Sequence, residues 1–363
     1  MQHDDIGPEV VLDVYDPCTG MRGFVVIDNT NLGPGKGGIR MTPTVKVEEV
    51  FRLARAMTWK NALAGLPFGG EKSGIVADDR KISPKKKKEL VKAFSKAVKV
   101  VSPAKYIAAP DMNMGEEEIK WFVEANGSRK SATGKPKSMG GLPHELGSTG
   151  FGVYQATLVA AKHIGLDMKK ATVAIEGFGN VGSFVGKFLS EYGARIVAAS
   201  DSKGVIHNND GLDFKKLAKV KKRRGSVTNY RPGSILCCED ILDVNADVLI
   251  TAAVPDLIKP ADVKRLHFKL IVEGSNIPMT HDVEKLCHKK GILVIPDFVA
   301  NAGGVISSYV EYKGGSEHEM FKVIEEKINK NTQLVLDELK TGKCENPRKC
   351  AMNIAERRIE EAC

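Results

Sequence analysis

The hydrophobic pattern changes period from one segment to the next. Residues 21–29, MRGFVVIDN, form a nearly continuous apolar run and predict a strand. After the glycine-rich stretch LGPGKGGIR, the residues from 42 to 65 predict a helix, with Thr44 as N-cap and Glu48 and Glu49 in the early turns. Val50, Leu53, Ala54 and Met57 form its apolar stripe, and the same spacing continues onto Lys60. A lysine on an inward stripe is costly unless an anion meets it. The plainer alternative is a snorkelling side chain at the helix end. The loop LPFGGEKSGI, residues 66–75, then enters a strand, with Lys72 flanked by Gly69, Gly70, Ser73 and Gly74. PKKKKELVKAFSKAVKVV predicts an amphipathic helix. KYIAAPDMNMGEEEIKWFVEA predicts a strand, a turn carrying Asp111 and a helix with acids in its first turn. Asp111 therefore falls near the carboxyl end of a strand, where open α/β sheets place ligands.

TGKPKSMGGLPHELGSTG reads as a domain junction, and a helix over FGVYQATLVAAKHIG follows it. The next segment, from Lys169, reads as strand, Gly177-x-Gly179-x-x-Gly182, helix and strand, and Asp201 follows Gly182 by 19 residues. A glycine triplet alone is weak, but this one has a strand before it and a helix after it. Gly177 permits the tight turn, Gly179 lets a pyrophosphate approach the backbone, and Gly182 lets the helix pack closely with its amides toward the anion. The segment therefore predicts dinucleotide binding. ADVLITAAV, KLIVEGSN and GILVIPD are short apolar runs that suit a parallel sheet covered on both faces. FVANAGGVISSYVEY opens a helix at Asn301, Gly303 and Gly304, and the remaining segments are helical.

Size and charge narrow this picture. The 363 residues exceed what one core normally serves, which predicts two domains. The net charge of +9 is concentrated in SPKKKKEL and KKLAKVKKRRG. These runs lack interleaved aromatics and read as solvated faces rather than as a nucleic-acid surface. No run of 18 apolar residues is present, and the acidic start MQHDDIGPEV has no apolar signal core, so neither a membrane partner nor secretion is expected. The seven cysteines are odd in number and form no CxxC pair, which argues against a disulfide framework or a metal site and fits a reducing cytoplasm. GLPFGGEKSG approaches a phosphate-binding loop, but Glu71 intervenes between Gly70 and Lys72 and breaks the register. Lys36, Lys60 and Lys72 all lie in apolar or glycine-rich settings, with Asp111 nearby in the pattern. Clustered lysines lower one another's pKa, so such a group can hold a dicarboxylate and exchange a proton near neutral pH.

KGGIRMTP, MTWKNALAGLPFGGEKSGI, APDMN, GFGNVG, EGSN and NAGGVISS occur in one order. In these motifs, over residues 20 to 312, the chain resembles the glutamate/leucine/phenylalanine/valine dehydrogenases, which oxidatively deaminate amino acids with a nicotinamide cofactor. The resemblance implies an α/β chain with an N-terminal substrate domain, residues 1–142 completed by helices over 333–363, and a Rossmann-type dinucleotide domain over 143–332. It implies a cleft that closes to exclude water, a homo-oligomer (hexamer or octamer) and a small amino acid or 2-oxo acid as partner. By resemblance Lys72 is the catalytic lysine and Asp111 the proton shuttle. Lys60 holds the α-carboxylate, Asn301 helps to position substrate, and Lys36 and Ser308 meet a side-chain carboxylate as in the glutamate branch. Gly177, Phe178, Gly179, Asn180, Val181, Gly182, Asp201, Ser202 and Asn276 bind NAD or NADP. Asp201 leans the choice to NAD, whereas Lys203 and Ser200 could take a 2′-phosphate.

Some positions depart from the family pattern. Glu71 replaces a small residue, Ser73 a glycine and Ser275 an alanine, and PHELGSTG lacks an arginine. The flanks of Lys36, the short N-terminal arm and Met57 look like leucine dehydrogenase. A leucine, branched-chain or other amino-acid dehydrogenase is therefore the alternative substrate assignment. A catalytically inactive dinucleotide-binding regulator is the other alternative, and a Glu71–Lys72 salt bridge would mark it.

Overall fold

The computed structural model describes residues 3–143 and 146–362. His144 and Glu145, within the expected junction, and the chain ends at residues 1, 2 and 363 lie outside the described residues. The chain folds as two compact units. One comprises Met1–Leu146, Val305–Met320 and Ile354–Cys363, and the other comprises Gly147–Gly304 and Phe321–Asn353.

The first unit begins with strands β1 (Val10–Asp16), β2 (Met21–Asn29), β3 (Gly35–Lys36) and β4 (Ile39–Thr42). Helix α1 (Val47–Leu63), strand β5 (Gly69–Val76), helix α2 (Pro84–Ala97), strand β6 (Tyr106–Ile107) and helix α3 (Glu116–Asn126) follow. They build a mixed sheet in the order β1-β2-β5-β3-β6, with β4 also paired to β5. One face is packed by α2 and α3 around Phe94, Tyr106 and Phe122, all fully buried. Each such side chain contributes about 1.5–3 kcal/mol by leaving water.

The buried face of α1 is Val50, Ala54, Thr58, Asn61 and Ala62. Its N-cap is Lys46, without a side-chain hydrogen bond, rather than Thr44. Lys60 lies beside that face and is half-buried, because the true stripe runs 50-54-58-61 and not through Leu53 and Met57. The close packing of α1 and β2 on β5 also accounts for two glycines beside Lys72. A Cβ on Gly70 would stand 2.0 Å from the Thr58 hydroxyl oxygen, and one on Gly69 would stand 1.8 Å from the Asn29 carbonyl oxygen. Backbone approach, not room around the ammonium group, excludes side chains there.

The second unit contains α4 (Ser148–His163), β7 (Thr172–Glu176), α5 (Asn180–Tyr192), β8 (Arg195–Asp201), β9 (Gly204–His207), α6 (Phe214–Arg224) and β10 (Ser234–Leu236). Strands β11 (Val248–Thr251) and β12 (Leu270–Glu273), helix α7 (His281–Lys289), strand β13 (Leu293–Ile295) and helix α8 (Asp297–Ala300) complete it. The sheet order is β10-β9-β8-β7-β11-β12-β13. Strands β8, β7, β11, β12 and β13 are parallel, and β9 and β10 are antiparallel additions. Their order reverses at β7, which makes the carboxyl end of β7 the switch point where doubly wound sheets bind ligands.

Helices α9 (Gly303–Tyr312), α10 (Glu317–Lys340) and α11 (Pro347–Glu360) each run through a boundary between the units. The expected boundary at 142/143 falls four residues before the unit change at 146/147, whereas 332/333 falls within α10 and residues 333–353 belong to the second unit. A continuous helix hides such a change of packing partner from the sequence pattern. Cys344, in the turn between α10 and α11, forms a disulfide with Cys350 in the first turn of α11, their Cα atoms 5.4 Å apart. The odd count without a CxxC pair argued against a disulfide framework, whereas the fold brings together two cysteines that share no recognisable motif. Among the described residues no helix is long and apolar enough to cross a membrane.

Candidate active site

In the first unit, Lys72 on β5 and Asp111 after β6 form an ion pair, Nζ to Oδ2 at 3.1 Å. Lys72 is 8% exposed. Arg40 on β4 donates from Nε to the same Asp111 oxygen at 3.0 Å and also pairs with Glu49 on α1. Burial works against the charge of Asp111, but Lys72 and Arg40 outweigh it and hold the carboxyl below its usual range. Space for this pair depends on Gly38, where a Cβ would stand 2.8 Å from the Asp111 Cβ and 3.2 Å from Lys72 Nζ.

Lys36 on β3 is 2% exposed, and its Nζ donates to the Ala108 carbonyl at 3.3 Å. Burial lowers its pKa to about 8, against the pull of Glu71 and Glu311, and the Lys135 and Lys72 charges lower it further. The buried Asn61 amide holds this lysine's strand in place. It donates to the Lys36 carbonyl at 3.2 Å and the Gly69 carbonyl at 2.6 Å, tying α1 to β3 and β5. Glu311 on α9 pairs with Lys135 at 2.6 Å and accepts from the backbone of Gly134 and Leu142 at 3.0 Å each. Ser308 is half-buried on the same helix.

Glu71 is fully buried, and neither of its oxygens makes a hydrogen bond of ordinary geometry among the described residues. It also lies beyond ion-pair distance of Lys72, whose partner is Asp111. The salt bridge that would mark an inactive relative is therefore not formed. Burial pushes the Glu71 carboxyl well above its usual range, although the nearby Lys36 and Lys72 charges and the Gly37 backbone oppose the shift.

In the second unit, Gly177 follows β7 with φ of +87°, and Gly179 caps α5, which begins at Asn180 and Val181. The Ser200 carbonyl accepts from Phe178 N at 2.7 Å, and its hydroxyl accepts from Gly177 N at 3.0 Å, locking the turn to β8. A Cβ on Gly182 would meet the Gly177 carbonyl oxygen at 1.9 Å, whereas one on Gly179 would meet nothing within 4 Å. The open side of this turn thus leaves the α5 amides accessible to an anion. A cavity of about 640 Å³ adjoins it, lined by Gly177, Ser200, Asp201, Ser202, Cys238 and Arg265 among others. Its size and the open turn fit a nucleotide.

Asp201 accepts from Lys221 Nζ (2.6 Å), Val227 N (2.8 Å), Lys203 N (2.9 Å) and Ser226 Oγ (3.0 Å). Burial opposes its charge, but these donors hold its pKa down. Elsewhere in the unit, Asn301 Nδ2 donates to Asn276 Oδ1 at 3.0 Å. Sequence reasoning did not single out Arg40, Asn61, Lys135, Glu311 or Lys221. For Arg40 the signal was present: a cation between the buried positions Ile39 and Met41.

Residues 140–363 match the family model described as Glutamate/Leucine/Phenylalanine/Valine dehydrogenase, and residues 8–127 match the Glu/Leu/Phe/Val dehydrogenase dimerisation domain. The chain belongs to this amino-acid dehydrogenase family. It is 40% identical over 321 residues to the glutamate dehydrogenase of Aeropyrum pernix, covering 85% of this chain and 77% of the relative. It is also 40% identical over 309 residues to the NADP-specific glutamate dehydrogenase of Saccharolobus shibatae, covering 82% and 73%. The hetero-hexameric glutamate dehydrogenase of Thermus thermophilus, in its Leu-bound form, matches with a TM-score of 0.86 at 27% identity, covering 98% of this chain and 89% of that one.

A raised carboxyl pKa makes folding favour the protonated form. The ionisation penalty at Glu71 is therefore absent below its unfolded pKa near 4.5, and it grows as pH rises above that value. Glu71→Gln removes the penalty, so its stability advantage over wild type should widen from pH 5 to pH 8 by up to about 1.4 kcal/mol per unit. Thermal unfolding across that range measures it. A difference that stays flat, or shrinks, contradicts a buried neutral acid.

Proposed function

We propose that the protein catalyses the reversible oxidative deamination of L-glutamate to 2-oxoglutarate and ammonia with a nicotinamide dinucleotide. The observation that carries this reading is the Lys72–Asp111 pair beside the buried cation of Lys36. Lys60 takes the α-carboxylate of glutamate, and Lys36 with Ser308 takes the side-chain carboxylate. Asp111, held ionised, removes a proton from the α-ammonium. A nicotinamide dinucleotide held at the glycine turn would supply the hydride acceptor for Cα, and the substrate would become an imine. Lys72 directs water onto the imine carbon and polarises the carbonyl in the reverse direction. With Asp111 at 3.1 Å, it can return the proton that the departing ammonia needs. Asn301 helps to position substrate, Asn276 borders the nicotinamide, and the Gly177–Gly182 turn with Ser202 receives the dinucleotide. Exclusion of water from the reacting atoms would complete the site. A homo-oligomer, hexamer or octamer, is part of this reading and is supported by the matched dimerisation domain. So is a cytoplasmic location, supported by the exposed free thiols of Cys18, Cys237 and Cys238.

One observation favours a second reading. Glu71 lies within the electrostatic reach of Lys36, and if ionised it would neutralise that lysine and admit an apolar amino acid such as leucine. Initial rates separate the two. Glutamate should exceed leucine in kcat/KM by about 10⁴, the discrimination of a pocket built for a polar group. Lys36→Leu with Ser308→Val should narrow that ratio, and Lys72→Ala should lower turnover about 10²- to 10⁴-fold. A kcat/KM for leucine equal to that for glutamate in wild type contradicts the assignment.

Among dinucleotides, we infer dual use. Asp201 suits the ribose hydroxyls of NAD and carries the lean toward it, but four donors already occupy its oxygens. Lys221 beside it offers the cation a 2′-phosphate needs. Lys221→Ala should raise KM for NADP about tenfold, the loss of one charged hydrogen bond, with a smaller effect on NAD. Steady-state rates with both cofactors test this, and an equal or larger loss with NAD contradicts it.

A further inference from the structure

We propose that Arg348 is a positioning residue for the dinucleotide, acting through the loop that carries Asn276. The proposal rests on the reading above that Asn276 borders the nicotinamide. Arg348 is the second residue of α11, and its guanidinium joins three acids from separate elements. Its Nε donates to both oxygens of Glu284 on α7 at 2.7 Å. Its Nη2 reaches Asp297 Oδ1, at the start of α8, at 2.9 Å and Glu273 Oε2, at the end of β12, at 3.1 Å. Glu273 is fully buried, and the other two acids are nearly so.

The acids pass this constraint to the loop. Asp297 N donates to Glu273 Oε2 at 2.9 Å, and Asp297 Oδ2 accepts from Ile277 N at 2.9 Å. Ile277 holds φ of 50°, a conformation a β-branched residue rarely adopts. Such backbone persists only where its surroundings over-determine it. The Ile277 carbonyl in turn accepts from Asp256 N at 2.9 Å. Asp256 closes the loop after β11, whose Ala253 and Val254 line the nucleotide cavity. Asn276 therefore stands between a fixed Ile277 and the Asn301 amide.

One cation against three acids makes the arrangement depend on Arg348. Burial and the neighbouring acids push Glu273 and Glu284 upward, and Arg348 is the cation opposing this. Burial also disfavours the charge of Arg348 itself, and the three acids outweigh it. The planar fork meets carboxylates in three directions, which a single ammonium cannot reproduce. The Cys344–Cys350 disulfide brackets Arg348 and fixes the turn that presents it.

The test is Arg348→Lys, which keeps the charge and loses the fork. Binding of NADH and NADPH is measured by nucleotide fluorescence, which needs no turnover, and KM for glutamate is measured beside it. The dissociation constant for the reduced dinucleotide should rise about tenfold, one charged hydrogen bond in effect, while KM for glutamate stays within about twofold. A merely structural role lowers the melting temperature and the active fraction but leaves both constants unchanged, and that result overturns the proposal. If Arg348→Lys does not fold, Cys344→Ser with Cys350→Ser loosens the same turn with Arg348 retained. Weaker dinucleotide binding in that variant supports the proposal, and unchanged binding overturns it. Wild-type protein that binds no reduced dinucleotide overturns both the proposal and the functional reading beneath it. Wild-type binding with an unaltered variant overturns the proposal alone.

Discussion

The Lys72–Asp111 contact forms because no side chain stands at position 38. Any Cβ there would press on Asp111 and on the Pro110 carbonyl, and would crowd the lysine nitrogen. Three strands converge on this point: β5 supplies the cation, β4 supplies Arg40 as the second partner of Asp111, and the turn after β6 supplies the acid. An exposed pair of this kind contributes little to stability, because water competes with it. Here the lysine is largely withdrawn from water, so the interaction is stronger and the loss of either partner leaves a poorly solvated charge. The same feature makes the site reactive. An ammonium and a carboxylate 3.1 Å apart can exchange a proton and can orient water between them.

Lys36 follows the same logic with the opposite outcome. It is buried, its ammonium donates to the Ala108 carbonyl, and burial outweighs Glu71 and Glu311 in setting its pKa. A cation in that state is stabilised by an arriving carboxylate more than a solvated lysine would be. The second unit solves a different problem. There the glycine turn leaves helix amides open to an anion, while Asp201 and the acids around Arg348 hold the surrounding loops through several donors each. Each unit thus presents preorganised polar groups of one kind: buried cations in the first, open helix amides and fixed loops in the second.

Most of the architecture was legible because it is written in local pattern. The β7–α5–β8 segment combines strand, glycine turn and helix in adjacent residues, and Pro84 behind the Ser83 cap announces α2. The helix α1 was legible in existence but not in phase. Its inward face includes Thr58 and Asn61, polar residues whose partners, Asp28 and the carbonyls of β3 and β5, lie far away in sequence. Lys60 was assigned to that face for the same reason, since spacing alone cannot separate a half-buried flank from a buried stripe. The glycines around Lys72 were visible, but their cause was not: they answer the backbone of α1 and β2. Glu311 and Arg348 were silent, because each acquires meaning only through acids or amides brought in by the fold. The Cys344–Cys350 bond was hidden likewise, by a turn between two helices whose geometry no spacing rule encodes.

The central claim is that buried cations in the first unit select a substrate with two carboxylates. Titration calorimetry with unreactive analogues tests it without turnover or cofactor. Glutarate carries both carboxylates, and 4-methylpentanoate keeps one and ends in a branched apolar chain. Glutarate should bind about 10²-fold more tightly or better, because only it pairs the Lys36 ammonium. Its binding near pH 8, where burial places the Lys36 pKa, should take up a proton. Equal affinity for the two analogues, or tighter binding of 4-methylpentanoate, would mean that Lys36 does not select the second carboxylate.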